Sequence, residues 1–162
     1  MKDFRISILG FLLISNLSCE PGDAPLVIAS QGGHVKAIEV LVKCNANVDL
    51  QAKDGFTALM CASIKRDVDV VDKLLAQNAN VDLQNKDGKT ALMRASKNGH
   101  ADVVEKLLEY NANVDLQDKC GETALMWASE RGHADVVALL KSATDDVESR
   151  SKNKRRCFKK NS

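Results

Sequence analysis

Thr57-Ala58-Leu59-Met60 recurs as Thr90-Ala91-Leu92-Met93 and again as Thr123-Ala124-Leu125-Met126, each time 33 residues further on. The segment Asn78-Ala79-Asn80-Val81-Asp82-Leu83-Gln84 is matched by Asn45 to Gln51 one step earlier and by Asn111 to Gln117 one step later. Gly33-His34, Gly99-His100 and Gly132-His133 fall in the same register, and Ala24-Pro25-Leu26-Val27 stands one period ahead of Thr57. Four copies therefore follow one another without insertion. A fixed period of this length marks a chain built from stacked supersecondary units.

Inside a copy the apolar residues follow a helical period. Leu59 and Ala62 lie three apart on one short helix, and Val70, Val71, Leu74 and Leu75 form the stripe of a second. Thr57 is placed to cap the first helix. Gly99 and Gly132 suit the left-handed end of a first helix, and Asn45, Asn78 and Asn111 suit that of a second. A polar stretch then closes on Asp54-Gly55, Asp87-Gly88 or Cys120-Gly121, a tight turn projecting from the helix pair. Helices below about 12–15 residues are marginal alone, and a single pair cannot bury its own stripe. Stacking solves both problems.

The chain of 162 residues has the length of about one domain. With 44% hydrophobic and 28% charged residues it has ordinary globular composition. Aromatics at 4% are too few for a base-stacking platform, and a net charge of +1 gives no overall drive toward nucleic acid or an anionic membrane. The charge is divided unevenly, however: residues 141–162 carry eight Lys or Arg against three Asp or Glu, leaving residues 1–140 at −4. Cys19, Cys44, Cys61, Cys120 and Cys157 are odd in number and show no C-x-x-C spacing, so free thiols in a reducing compartment are expected rather than a disulfide framework.

Across roughly residues 20–141 the chain resembles the ankyrin-repeat family, whose pattern runs D-x-x-G-x-T-P-L-H-x-A, then G-H, a V-V-x-x-L-L helix and G-A-x-V. Three departures stand out. The family Pro is kept only as Pro25 and is Ala58, Ala91 and Ala124 elsewhere. Val27, Met60, Met93 and Met126 replace the family His, removing its hydrogen bonds to neighbouring loops. Asn replaces the Gly after the second helix. The expected fold is an all-α solenoid of four 33-residue helix-turn-helix units with protruding β-turn loops. Its units run over about 20–53, 54–86, 87–119 and 120–143, and a disordered basic tail follows over 144–162.

No catalytic or cofactor constellation emerges. His34, His100 and His133 share one repeat position, opening a second helix beside a glycine, and no H-x-x-x-H or paired Cys completes a zinc set. Aligning Gly88 with the glycine of a calcium loop puts Leu83 and Arg94 at ligand positions, which neither can fill. Phosphate-loop, dinucleotide and nucleophile-elbow motifs are missing from the sequence. The expectation is a non-enzymatic protein without cofactor, metal or small-molecule substrate.

Comparison of the copies with one another separates fixed from varying positions. After the turn glycine the residue is Phe56, Lys89 or Glu122. On the first helix it is Cys61, Arg94 or Trp127, then Ile64, Lys97 or Glu130, then Lys65, Asn98 or Arg131. The resemblance implies that loops and first helices line a concave face where a partner protein docks, which makes these twelve residues the candidate partner-binding set. Trp127 and Arg94 lead it, since Trp and Arg are enriched among interface hot spots. Lys89, beside the turn, is expected to matter little for stability.

Residues 1–19 carry Lys2 and Arg5 ahead of the apolar run Ile6–Ile14, which is too short to span a bilayer. It reads as a helix capping the first repeat, in a cytoplasmic protein, or as the signal segment of a secreted or lipid-anchored one. In the second reading Leu17-Ser18-Cys19 is the acceptor, although Asn16 stands where an aliphatic residue is usual. The basic run from Lys152 to Lys160 suits a solvated tail, with nuclear import or an anionic surface as its functional alternatives. Intact-mass measurement of the natively expressed protein separates the readings of the front segment. The capping reading expects residues 1–19 to be retained, and a lipid-bearing chain beginning at Cys19 would sink it.

Overall fold

The structure, a computed structural model, describes residues 24–145. The front segment 1–19 and the run Lys152–Lys160 lie outside the described residues. Seven helices follow in chain order: α1 Pro25–Gly32, α2 Val35–Lys43, α3 Ala58–Lys65, α4 Val68–Ala76, α5 Ala91–Asn98, α6 Ala101–Glu109 and α7 Ala124–Glu130. An eighth, α8, begins at residue 134 and runs to the last described residue, 145. They form four pairs and no strand among the described residues. Odd-numbered helices pack in one row (α1 on α3, α3 on α5, α5 on α7), and α2, α4 and α6 in a second row.

Local chemistry fixes the helix ends. The hydroxyls of Thr57, Thr90 and Thr123 accept hydrogen bonds from the amides of Met60, Met93 and Met126 at 3.2, 3.3 and 3.4 Å. Such a cap is worth about 1 kcal/mol. Copy one has Ala24 at this place and no side-chain cap, with Pro25 opening the helix instead. Asn45, Asn78 and Asn111 all take left-handed conformations, with φ of 55, 59 and 60°, as the spacing predicted. Arg66 does so too (φ 63°), where the other copies have Gly33, Gly99 and Gly132. Its guanidinium reaches across to Asp102 at 2.9 Å.

Val70, Val71, Leu74 and Leu75 are buried, and so are Leu59, Met60, Leu92 and Met93, which lie between successive copies. The fourth copy differs. Leu125 is only partly buried and Met126 is 54% exposed, because no following copy among the described residues covers them. Leu125 still packs against the core but is less enclosed than Leu59 and Leu92, its counterparts in the Thr-Ala-Leu-Met motif.

The last helix runs past the expected end of the repeats at residue 143. Residues 144 and 145 belong to it rather than to a tail. The Ser142 hydroxyl donates to the Ala138 and Leu139 carbonyls and that of Thr144 to the Lys141 carbonyl, while Ala143 packs on the core. These contacts hold a turn that carries no strong apolar signal.

The projecting loops are joined by a ladder. The Lys86 amide donates to the Asp54 carbonyl (3.1 Å) and the Lys119 amide to that of Asp87 (3.0 Å). Gln51 Nε2 donates to its own turn at Gly55 O and to Gln84 O in the next copy; Gln84 repeats this on Gly88 and Gln117. Asp49 and Asp82 each accept the amide of the residue 31 further on, Asn80 and Asn113. A Cβ added at Gly55 or Gly88 would come within 2.8 or 2.9 Å of the next loop's backbone. Glycine is therefore demanded there by close approach as well as by a φ of 81 or 79°.

This difference in enclosure has a measurable consequence. Leu92→Ala should cost about 2–5 kcal/mol, the range for a buried leucine that leaves a cavity, and Leu125→Ala distinctly less. Urea midpoints for the two variants test this, and equal shifts would contradict the burial pattern.

Candidate partner-binding surface

Eleven of the twelve varying residues keep some solvent access. Cys61 does not: it is 4% exposed, packed with Ala24 and Val27 and flanked by Ala52 and Phe56. Burial pushes its thiol up to about 11, against a weaker opposing hydrogen bond to Gln31. It has no surface to offer a partner, and its assignment to the binding set is corrected.

The others are not independent side chains. Arg94 of the third copy lies over the Phe56 ring of the second, 4.8 Å from its centroid. The Lys89 and Lys97 ammonium groups both lie on Trp127 of the fourth copy, at 4.4 and 4.3 Å. Such cation–π contacts contribute about 0.5–1 kcal/mol each where water still reaches them. Asn98 donates to the Ile64 carbonyl at 3.3 Å. Phe56, Lys89, Arg94, Lys97, Glu122 and Trp127 are partly buried, as is Ile64, while Lys65, Asn98, Glu130 and Arg131 are exposed. Phe56 is covered by Arg94 of the next copy. The varying positions thus meet one another across copy boundaries, because a period of 33 brings equivalent loops side by side.

One residue of this surface escaped the sequence comparison. Between the constant Gln and Lys of each loop stand Ala52, Asn85 and Asp118. Asp118, whose side chain is fully buried, accepts the Cys120 and Glu122 amides at 2.9 and 3.1 Å and the Trp127 indole N–H at 3.2 Å. Lys89 Nζ lies 3.9 Å away. Burial alone would raise its pKa. The two amides, the indole and Lys89 outweigh that and hold it below the usual carboxylate range. Asp118 therefore sets the turn and the orientation of Trp127 together. Lys89 touches both groups, so its replacement removes more than a solvated charge. The signal was present as variation within an otherwise constant Gln-x-Lys-x-Gly segment.

The histidines serve the stack. The His100 ring bonds the Ser63 carbonyl at 2.9 Å and the His133 ring that of Lys97 at 3.0 Å, each reaching the preceding copy. No group of three or more His, Cys, Asp or Glu that could hold a metal occurs among the described residues. An open groove of about 880 Å³ lies elsewhere, between α6, α8 and the 111–115 loop, with Leu108, Val114 and Leu139 on its floor and Asp82, Glu105, Glu109 and Asp115 around it.

Comparison with protein-family models gives a match to ankyrin repeats (3 copies) over residues 4–85 and 65–151. The chain belongs to the ankyrin-repeat family. Its all-helical stack of short pairs is the repeat solenoid expected of that family. Ankyrin repeats generally serve as protein–protein interaction modules and are typically non-enzymatic. A search among curated proteins finds no match. No helix among the described residues is long and apolar enough to cross a membrane.

Asp118 carries a pH prediction for this ankyrin-repeat chain. Its folded pKa is depressed, so its contribution is complete above the ordinary carboxylate pKa of about 4 and is lost as pH falls through the lower folded value. Asp118→Ala leaves three N–H donors without their acceptor and should cost about 1–3 kcal/mol near neutrality. Denaturant titrations should show the gap from wild type narrowing below about pH 4. A gap that widened in acid would invert the sign of the shift.

Proposed function

We propose that this ankyrin-repeat chain is a non-catalytic scaffold that binds a partner protein along the row of first helices and projecting loops, the concave face in stacks of this kind. One observation carries the reading: residues that differ between copies gather here. Phe56 and Arg94, then Lys89, Lys97 and Trp127, form a continuous aromatic and cationic strip, while the residues beneath are held constant. Interfaces concentrate their energy in a few Trp, Tyr and Arg anchors. Here such anchors are already held by neighbours, which lowers the ordering cost of binding. Ile64, Lys65, Asn98, Glu122, Glu130 and Arg131 complete the contact surface. The reading places the chain in the cytoplasm, supported by three free cysteines among the described residues, two of them exposed.

The triple variant Phe56→Ala, Arg94→Ala, Trp127→Ala should stay folded and lose most partners in affinity capture followed by mass spectrometry. A circular-dichroism melt checks the fold. Unchanged capture by the folded variant would move the interface to another face, and loss of the fold would show these residues to be packing.

A further inference from the structure

The charges of the described residues are sorted by face. Residues 24–145 hold fourteen Lys or Arg and seventeen Asp or Glu. The twelve varying positions, chosen for variation and not for charge, hold five cations and two anions; all other positions hold nine cations and fifteen anions. Asp87 and Asp118 lie against these cations, so the strip counted with them holds five cations and four anions, while the other described residues hold nine cations and thirteen anions; the groove between α6 and α8 has four carboxylates in its lining and no cation.

The cations are concentrated in the third copy as Lys89, Arg94 and Lys97, and their present neighbours do not use them up. Trp127 supplies a ring face to both lysines but no countercharge. Asp118 stands 3.9 Å from Lys89 and is already engaged by three N–H donors. Asp87 is 3.8 Å from an Arg94 terminal nitrogen, beyond hydrogen-bond length, and Arg94 Nε is buried with no acceptor. The aromatic contacts fix these side chains in place while leaving N–H donors unspent.

We infer that the partner presents an acidic peptide segment, several Asp or Glu side chains in extended or loop conformation, to Lys89, Arg94 and Lys97. This rests on the proposed interaction surface and names the partner's chemistry there. A carboxylate meets the part of the Arg94 side chain that stays exposed rather than its buried Nε, and others meet Lys89 and Lys97 beside Trp127. A nucleic-acid strand fits less well, because the two rings of the strip, Phe56 and Trp127, are already covered by Arg94, Lys89 and Lys97, which compete with base stacking.

Trp127 is the single tryptophan of the chain, so its fluorescence reports on this place alone. Titration of the full chain with a twelve-residue polyglutamate peptide should change Trp127 emission saturably, with affinity falling about tenfold or more between about 0.05 and 0.5 M salt. A polylysine peptide of equal length should produce no such change. The variant K89Q/R94Q/K97Q should abolish the response while the basic tail, present in both proteins, is unaltered. Because Lys89 also touches Asp118, which holds the Trp127 indole, the single variant Lys97→Glu, which leaves that contact in place, is run beside it; it should remain folded and weaken the response several-fold. Silence toward polyglutamate, a response that Lys97→Glu leaves unchanged, or a stronger response to a twelve-nucleotide oligothymidylate would overturn the proposal. If polyglutamate fails while the Phe56, Arg94 and Trp127 variant still loses its partners, the surface stands and only its acidic preference falls. If both fail, the surface falls with it.

Discussion

No helix pair in this chain can cover its own apolar stripe, and everything else follows from that constraint. A helix of eight or nine residues exposes too much backbone and too little core to persist alone, so each pair is completed by the next. Leu59 and Leu92 reach full enclosure only because a further copy lies over them. Leu125 and Met126 show what the same motif looks like without one. The loop ladder and the histidine bonds add direction to this packing. Hydrophobic burial brings neighbours together, and the bonds from Asp49, Gln51, His100 and their equivalents decide the register.

The surface above this frame uses the same geometry for a different end. Equivalent positions in successive copies lie side by side, so a cation in one copy meets an aromatic ring in the next. Phe56 with Arg94, and Trp127 with two lysines, form a pre-ordered strip whose side chains are held before any partner arrives. Asp118 links the two levels, tying the last projecting turn to the indole that the strip depends on. The surface pairs of the second row, Glu39 with Lys73 and Asp72 with Lys106, bridge neighbouring helices in water and are screened there.

Repetition made most of the fold legible. Helix positions, threonine caps, asparagine turns and the inward leucines all follow from spacing within one copy, because those interactions are local or recur at every step. What stayed hidden lies between copies and does not recur. Cys61 looked like a surface position by analogy with Arg94 and Trp127. It is enclosed because its own side chain is short and sits among Ala24, Val27, Ala52 and Phe56. Arg66 occupies the left-handed position that glycine holds in the other copies, and its guanidinium reaches Asp102, 36 residues away, which no local pattern announces. The extra turn at residues 144–145 rests on hydroxyls capping carbonyls, a signal that hydrophobic periodicity does not register. Asp118 makes the same turn bonds as Asn85, and what sets it apart is the bond from the Trp127 indole nine residues on, a contact with no local pattern.

The close approach of the loops also limits how such a chain can diversify. Backbone of one turn rests against backbone of the next at Gly55 and Gly88, with amide and carbonyl already bonded across the gap. A turn longer or shorter by one residue would take the amide of Lys86 or Lys119 away from its acceptor and push the following loop out of line. New binding preferences are therefore open to this architecture through exchange of side chains at fixed places, while changes in loop length, the usual route by which other binding scaffolds gain new surfaces, are closed to it.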